Sequence, residues 1–159
     1  MNGQNVDEFG GVWCRVPPWA RFEYWRAPDK TALAWDGDTF TVGDLGRLDE
    51  DGYLFLDGRR DDLILSGGVN VYPAEVERVL ATVAGVESVV VFARPDSAWG
   101  QRVCAAVVGS VSGETVQAAA RELLAGYKRP KEVHVVAEIP VSATGKVQRH
   151  LLAAQLGLT

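Results

Sequence analysis

The sequence is poor in the residues that characterise disulfide-rich, metal-binding and membrane proteins. It has two cysteines, two histidines and one methionine among 159 residues. Cys14 and Cys104 lie far apart and lack the spacing of metal ligands, and two cysteines are too few for a disulfide-dense scaffold, although a single bridge stays open. No apolar run has the length of a membrane-spanning helix, and the start, MNGQNVDEFGG, has no apolar signal-peptide core. We therefore expect a reduced, cytoplasmic protein without a membrane span.

Positive charge is also in short supply. The chain has 16 basic and 21 acidic residues, which gives a net charge of -5. It lacks the general basic surface of nucleic-acid-binding proteins, so we expect no nucleic-acid partner. A few lysines and arginines can still form a local site for one phosphate group. The 47% of hydrophobic residues are enough to build a core.

The first third of the chain is rich in glycine, proline and aromatic residues. Residues 12–16 are typical of a strand that ends at two prolines. Asp51 and Gly52 lie between two apolar runs and predict a β-hairpin. We interpret residues 1–57 as β-rich and incomplete as a domain, because the predicted strands have few partners to pair with.

From about residue 61 the apolar pattern alternates between helix and strand periods. Pro73 suits the first turn of a helix, and Gly126 is expected to close a second one. The predicted strands are 89–92, 102–108 and 133–136, and the predicted helices begin near residues 73, 116 and 147. This order predicts an α+β fold, in which a short, mainly antiparallel sheet is covered by helices.

The first candidate binding residue is Asp44, in the sequence GDLG. An aspartate between two glycines at the edge of a hairpin can accept hydrogen bonds from both hydroxyls of a vicinal diol. Taken alone, an ordinary turn aspartate is the commoner explanation of such a short motif.

A second candidate is the pair Gly67-Gly68, which follows the charged run GRRDD and a short apolar strand. Adjacent glycines permit positive φ and let a ligand approach the backbone closely. They precede a predicted helix start, where unpaired N–H groups face outward. A flexible strand-to-helix turn without a ligand is the alternative.

The third candidate is Lys146, in the sequence SATGKV. The spacing of a Walker A loop is absent. Small residues nevertheless predict a mobile loop that presents the lysine just before a helix, where it can neutralise a phosphate and a carboxylate together. A solvated lysine near a helix start is the commoner case.

Taken in order, these segments resemble the late motifs of acyl-CoA synthetases, acid–thiol ligases of the adenylate-forming superfamily. The matching segments are TVGDLGR (41–47), GRRDDLILSGGVNVYPAEVE (58–77), DSAWG (96–100), GYKRPK (126–131) and IPVSATGKVQR (139–149). The resemblance implies two half-reactions: a carboxylate attacks ATP to give an acyl-adenylate and pyrophosphate, and the thiol of CoA then displaces AMP.

The resemblance also implies residue roles for the first half-reaction. Asp44 would accept hydrogen bonds from the AMP ribose, and Arg59 would lie near the same ribose. Asp61 matches the hinge about which the small domain rotates. Lys146 matches the catalytic lysine that contacts the α-phosphate and the acyl carboxylate.

For the second half-reaction the resemblance points to CoA. Gly67 and Gly68 match the loop that faces the pantetheine channel. Lys128 and Arg129 match positions that contact CoA phosphates in some members. Either CoA or the pantetheine of a carrier protein stays open as the acceptor.

By the same resemblance, residues 1–60 are the last β-rich segment of a large adenylate-binding domain and residues 61–159 are a small mobile C-terminal domain. The phosphate loop, the acyl pocket and the ligands of Mg²⁺ have no counterpart in this sequence. We therefore expect a partner, either a large N-terminal domain or an upstream split subunit, and no metal site in this chain.

Two other hypotheses remain open. The chain could be a non-catalytic docking module that acts with another ligase or a carrier protein, or a folded but inactive remnant. The presence of Asp44, Arg59 and Lys146 favours part of an enzyme, because a docking module has no chemical need for them.

Overall fold

A computed structural model describes residues 10–158. The chain divides into two compact units, Met1–Asp61 and Asp62–Thr159. The division falls directly after Asp61, the residue for which a hinge role is predicted.

The first unit consists of short strands and one helix. Its elements are β1 (Gly10–Gly11), β2 (Cys14–Arg15), α1 (Pro28–Ala34), β3 (Trp35–Asp36), β4 (Thr39–Phe40), β5 (Asp44–Leu48) and β6 (Leu54–Arg59). They form two three-stranded antiparallel sheets, with strand orders β1-β5-β6 and β2-β4-β3. The strands therefore have more partners than the sequence suggested, although each sheet is small.

The hairpin predicted around Asp51 and Gly52 is confirmed as the β5–β6 connection. The Asp49 carboxylate accepts hydrogen bonds from the backbone N–H groups of Asp51 (3.0 Å) and Tyr53 (2.8 Å), and Gly52 has a positive φ of 85°. The strand predicted over residues 12–16 is shorter than expected. Val12 donates instead to the carbonyl of Asp44 at 2.9 Å, so the ladder of β2 keeps only two residues.

The second unit contains the larger sheet and three helices. Its elements are β7 (Ile64–Ser66), β8 (Val69–Val71), α2 (Pro73–Leu80), β9 (Val86–Asp96), β10 (Gly100–Gly109), α3 (Gly113–Leu123), β11 (Glu132–Val135) and α4 (Arg149–Gln155). The sheet order is β11-β10-β7-β8, and β9 pairs with β10. All of its pairs are antiparallel except β10–β11, which is parallel. The predicted α+β class is confirmed.

Helices cover both faces of this sheet. Alternate residues of a strand point to opposite faces, and β10 shows this directly. Its Val103, Ala105 and Val107 pack in a cluster with α2 and α3, whereas Cys104 and Ala106 pack in a second cluster with Leu152 of α4. The 3.6-residue apolar period therefore predicted the helices that contribute to both clusters.

Gly67 and Gly68 have the positive φ that was predicted, 59° and 80°, and they precede α2. They form the two-residue turn of the β7–β8 hairpin, so β8 separates them from the helix and the alternative strand-to-helix turn does not form. The prediction for Gly126 was wrong. Gly126 opens a 3₁₀ turn and does not close α3. That helix ends at Leu123 because Leu124 takes an extended conformation and is buried in the core.

The two cysteines are free thiols, Cys14 exposed and Cys104 buried, so the single bridge left open by the sequence does not form. Within residues 10–158, no helix is long and apolar enough to cross a membrane.

Candidate functional site

Asp44 and Arg59 are brought together by the β5–β6 hairpin. They are register partners on the two strands, and the Nε of Arg59 donates to Oδ1 of Asp44 at 3.1 Å. The Asp44 side chain is 24% exposed and that of Arg59 is 58% exposed. An ionised carboxylate has about four lone-pair sites, so this contact leaves Asp44 able to accept from a further donor.

The turn before Asp44 is fixed by local hydrogen bonds. Gly43 has a positive φ of 85°, which glycine adopts without steric cost. Its N–H donates to the hydroxyl of buried Thr41 at 3.1 Å, and its carbonyl accepts from the N–H of Arg60 at 2.8 Å. These contacts set the point at which β5 begins, and therefore the position of the Asp44 carboxylate.

The Gly67-Gly68 turn lies against Trp99. The N–H of Gly67 donates to the carbonyl of Trp99 at 2.9 Å, and a Cβ atom on Gly67 would lie 2.5 Å from the indole. Gly67 is therefore required by the packing of Trp99. A Cβ on Gly68 would meet no atom within 4 Å, so this side of the turn leaves the backbone accessible to a ligand.

Lys128 and Arg129 have different environments. The ammonium of Lys128 pairs with the Glu75 carboxylate, and this hydrogen bond raises the pKa of Lys128 above its ordinary value. The Nε of Arg129 donates to the carbonyl of Leu124 at 2.8 Å. Arg129 also lines a shallow depression of about 250 Å³, and the residues around it are Gln117, Arg121, Arg129, Pro130 and Lys131. Arg121, Arg129 and Lys131 make this depression a better candidate anion site than Lys128. No local pattern groups Arg121 with the other two cations.

Lys146 closes a tight turn that precedes α4, as its small neighbours predicted for a loop before a helix. The N–H of Ser142 donates to the carbonyl of Lys146 at 2.9 Å, and the N–H of Lys146 donates to the Ser142 hydroxyl at 3.2 Å. Gly145 supplies the positive φ of 75° that the turn requires. Lys146 is exposed, and its ammonium makes no hydrogen bond or ion pair with any residue in 10–158.

The sequence of the second unit matches a known family of domains. Residues 75–146 match the C-terminal domain of AMP-binding enzymes. Over these residues the chain is similar to the AMP-binding C-terminal domain. The match ends at Lys146, so the candidate lysine lies inside the family region.

Curated relatives match a longer part of the chain. Long-chain-fatty-acid–CoA ligase FadD13 of Mycobacterium tuberculosis is 41% identical over 140 residues, which are 86% of this chain and 28% of FadD13. 2-Succinylbenzoate–CoA ligase of Oceanobacillus iheyensis is 39% identical over 153 residues, which are 95% of this chain and 32% of that ligase. The chain thus spans about a third or less of the length of these relatives.

Two solved structures of adenylate-forming ligases have a similar fold over most of this chain. ATP-bound MatB from Rhodopseudomonas palustris matches with a TM-score of 0.86 and 33% identity, over 96% of this chain and 31% of MatB. O-succinylbenzoate coenzyme A synthetase (MenE) of Bacillus subtilis, in complex with ATP and magnesium ion, matches with a TM-score of 0.80 and 33% identity, over 96% of this chain and 32% of MenE.

An arginine that the sequence did not single out joins several elements of the second unit. The Nη2 of Arg149 donates to both carboxylate oxygens of Glu77, at 2.8 and 3.0 Å. Its Nη1 donates to Oδ2 of Asp62 at 3.0 Å, and its Nε donates to the carbonyl of Val91 at 3.2 Å. Arg149 and Glu77 are 72 positions apart, so no local pattern could reveal the pair.

Other features of the chain do not add to the candidate site. An open depression of about 620 Å³ in the first unit, beside Tyr24 and Trp35, contains none of the candidate residues. Among the residues that the structure describes, no group of three or more histidine, cysteine or acidic side chains could hold a metal ion.

Proposed function

We propose that this chain is the C-terminal part of an ATP-dependent acyl-CoA ligase. The observation that carries the proposal is the exposed ammonium of Lys146, which a hydrogen-bonded turn presents without a carboxylate partner in residues 10–158. An unpaired cation at a fixed position offsets the repulsion between an α-phosphate and an attacking carboxylate in the transition state. Lys146 is therefore the catalytic residue of the adenylation step.

Asp44 and Arg59 form the ribose side of the proposed nucleotide site. Asp44 retains acceptor capacity beyond its 3.1 Å contact with Arg59, so it can bind the two hydroxyls of the AMP ribose. More than half of the Arg59 side chain is exposed, which leaves its remaining N–H groups free to reach the same nucleotide.

The thioester step uses the other candidate residues. The open side of Gly68 admits the pantetheine thiol of CoA, and Gly67 keeps the turn packed on Trp99. Arg129, in its basic depression, binds a CoA phosphate. The role of Lys128 is secondary, since Glu75 already neutralises its charge.

The remaining parts of the reaction belong to a partner. In the proposal, residues 1–60 end the large domain, Asp61 is the hinge, and residues 61–159 rotate between the two half-reactions. A large N-terminal domain or a separate subunit supplies the acyl pocket, the phosphate loop and the ligands of Mg²⁺. Strongly exposed apolar side chains in the first unit support such a partner, and they are Trp19 (86%), Trp25 (86%) and Leu33 (81%). The two free thiols support a cytoplasmic location.

The test is to fuse the chain to the large domain of a ligase relative and to assay acyl-CoA formation. The fusion should form acyl-CoA with ATP, CoA and that relative's acid. The chain alone should not exchange pyrophosphate into ATP, because one lysine cannot hold ATP, Mg²⁺ and an acid in attack geometry. Lys146→Ala should abolish most of the fusion's activity, and Lys30→Ala, in the first unit, is the matched control.

Two results would contradict the proposal. One is a well-folded fusion without activity. The other is an activity that Lys146→Ala does not change, which would favour the docking-module hypothesis.

A further inference from the structure

At the outer edge of β9, side chains provide the hydrogen-bond partners of one backbone position, Val91. β9 pairs with β10 along one edge, and no strand of residues 10–158 pairs with its other edge. At Val91, Oε1 of Glu77 accepts the backbone N–H at 2.8 Å, and Nε of Arg149 donates to the backbone carbonyl at 3.2 Å. Val91 is fully buried, so its N–H and carbonyl groups require such partners. At Val91, the Glu77–Arg149 ion pair therefore supplies the hydrogen bonds that a neighbouring strand would otherwise make.

The same ion pair joins the two faces of the sheet. Glu77 belongs to α2, which packs on one face, and Arg149 begins α4, which packs on the other. Their side chains meet at the β9 edge with an N–O distance of 2.8 Å and are 17% and 23% exposed. Loss of one partner would leave the other charge partly buried and uncompensated, which is strongly destabilising.

Arg149 has a third partner, at the start of the second unit. Its Nη1 donates to Oδ2 of Asp62 at 3.0 Å, and the Asp62 side chain is 31% exposed. Asp62 is the first residue of this unit and directly follows Asp61. One planar guanidinium can serve Asp62, Glu77 and Val91 together because its five donors point in different directions.

We propose that Arg149 is a positioning residue that fixes Asp62 and the Lys146 turn to one rigid body. Lys146 lies three residues before Arg149 and has no side-chain partner of its own in the described part of the chain. Its backbone position is therefore set by the hydrogen-bonded turn with Ser142 and by the start of α4, which follows that turn. Because the same guanidinium holds Asp62, the backbone rotation that moves the second unit is confined to Asp61 and the residues before it. Lys146 then moves together with Asp62 and keeps its place within the second unit. This inference rests on the proposed roles of Lys146 and Asp61.

The structural part can be tested on the full chain by hydrogen exchange and mass spectrometry. Asp62→Ala removes only the hydrogen bond between Arg149 and Asp62. Backbone amide exchange should therefore rise about tenfold in residues 61–66 and stay unchanged around Val91. Arg149→Met should raise exchange in both segments. Arg121→Met, which removes an exposed arginine of α3, is the matched control and should change neither. Unchanged exchange at 61–66 in folded Asp62→Ala would overturn the inference.

The functional part uses the fusion with a large domain and separates the half-reactions. Arg149→Lys keeps the positive charge but loses the planar set of guanidinium donors that contacts three partners at once. It should lower kcat of adenylation about tenfold and leave KM for ATP within about twofold. Thioester formation from a supplied acyl-adenylate should stay within about threefold. Equal losses in both half-reactions would show a merely structural role and overturn the inference. A normal adenylation rate in Lys146→Ala would instead overturn the proposed role of Lys146 itself.

Discussion

At the scale of single residues, the environment of Lys146 differs from that of Lys128 and Arg149. Lys128 pairs with Glu75, and Arg149 pairs with Glu77 and Asp62. Lys146 has no such partner within residues 10–158, so no ion pair has to break before its ammonium contacts an anionic ligand. This contrast supports the proposed role of Lys146 as the group that contacts a ligand.

We predict that Lys146→Ala, in a fusion with a large ligase domain, slows acyl-adenylate formation about 10²–10³-fold, which corresponds to roughly 3–4 kcal/mol. CoA transfer from a supplied acyl-adenylate should stay within about threefold of the unmodified protein. Gly68→Trp should have the opposite pattern, because it fills the open side of the turn. Gly68→Asn is its control, since asparagine tolerates positive φ. Both half-reactions are measured separately, and equal slowing of the two by Lys146→Ala would contradict the assignment.

The two cysteines should differ in reactivity. Burial raises the pKa of the Cys104 thiol to about 12, and Cys14 is exposed. Because the thiolate is the reactive form, we predict that a thiol reagent at pH 8 modifies one cysteine in the folded chain and two in urea. Cys14→Ser should abolish the reaction of the folded chain. Rapid modification of Cys104 in folded Cys14→Ser would show that the second core cluster opens readily.

At the scale of elements, α4 is a short helix that packs on the sheet through one buried side chain. Leu152 is fully buried in the cluster with Phe92 and Cys104, whereas Leu151 is 40% exposed. We predict that Leu152→Ala lowers the free energy of unfolding by about 2–5 kcal/mol, because it removes buried methyl groups and leaves a cavity. The matched control, Leu151→Ala, should cost less than about 1 kcal/mol. Urea unfolding measures both, and equal costs would show that α4 packs differently.

A second prediction at this scale concerns Glu132, which links β9, β10 and β11. Burial raises the pKa of its carboxyl, but hydrogen bonds from Arg102, Arg94 and His134 outweigh burial and hold the pKa below its ordinary value. A carboxyl with a lowered pKa in the folded state stabilises the protein above its unfolded pKa, near 4.3, and loses that contribution as the pH falls through the folded pKa.

We therefore expect Glu132→Gln to destabilise the chain at pH 7 and to differ little from the unmodified protein near pH 3. Unfolding midpoints at the two pH values measure this difference. Glu114→Gln, on the exposed first turn of α3, is the control. A destabilisation that is the same at both pH values would mean that packing, and not charge, explains the effect.

The elements also show what a sequence can reveal. Pro73 and the apolar residues after it predicted α2 correctly, because a helix start and its period are local properties. The interaction of Glu77 with Arg149 could not be predicted, because it depends on how α2 and α4 meet at the β9 edge. The same reason explains why the hairpin turn at Gly67-Gly68 was not predicted. Two glycines permit a hairpin turn or a strand-to-helix turn, and only the pairing of β7 with β8 decides between them.

At the scale of the whole molecule, the two units differ in how much apolar surface they bury. In residues 10–61 the buried hydrophobic side chains are Ala34 and Leu45, whereas the second unit has two extended clusters. Buried apolar area is the main source of stability. The second unit should therefore open less often than the first.

Limited proteolysis with trypsin tests this difference. We predict early cuts in the first unit or at residues 59–62, and a persistent fragment that contains residues 62–156. Mass spectrometry of the fragments over time identifies the order. First cuts within residues 76–91, with the first unit intact, would contradict the prediction. A proline substitution at Val91 should make that region susceptible, since it removes the N–H that Glu77 accepts.

The contact between Trp99 and the Gly67-Gly68 turn has an optical consequence. The other four tryptophans, Trp13, Trp19, Trp25 and Trp35, precede Asp62, so a chain shortened to residues 62–159 would carry a single indole. That indole rests on Gly67, and the Lys131 ammonium lies 5.2 Å from its ring centre. Its emission would respond to any molecule that enters along the glycine turn. The second unit thus contains an intrinsic fluorophore at the place where the acyl acceptor is proposed to arrive, and CoA titrations need no added dye.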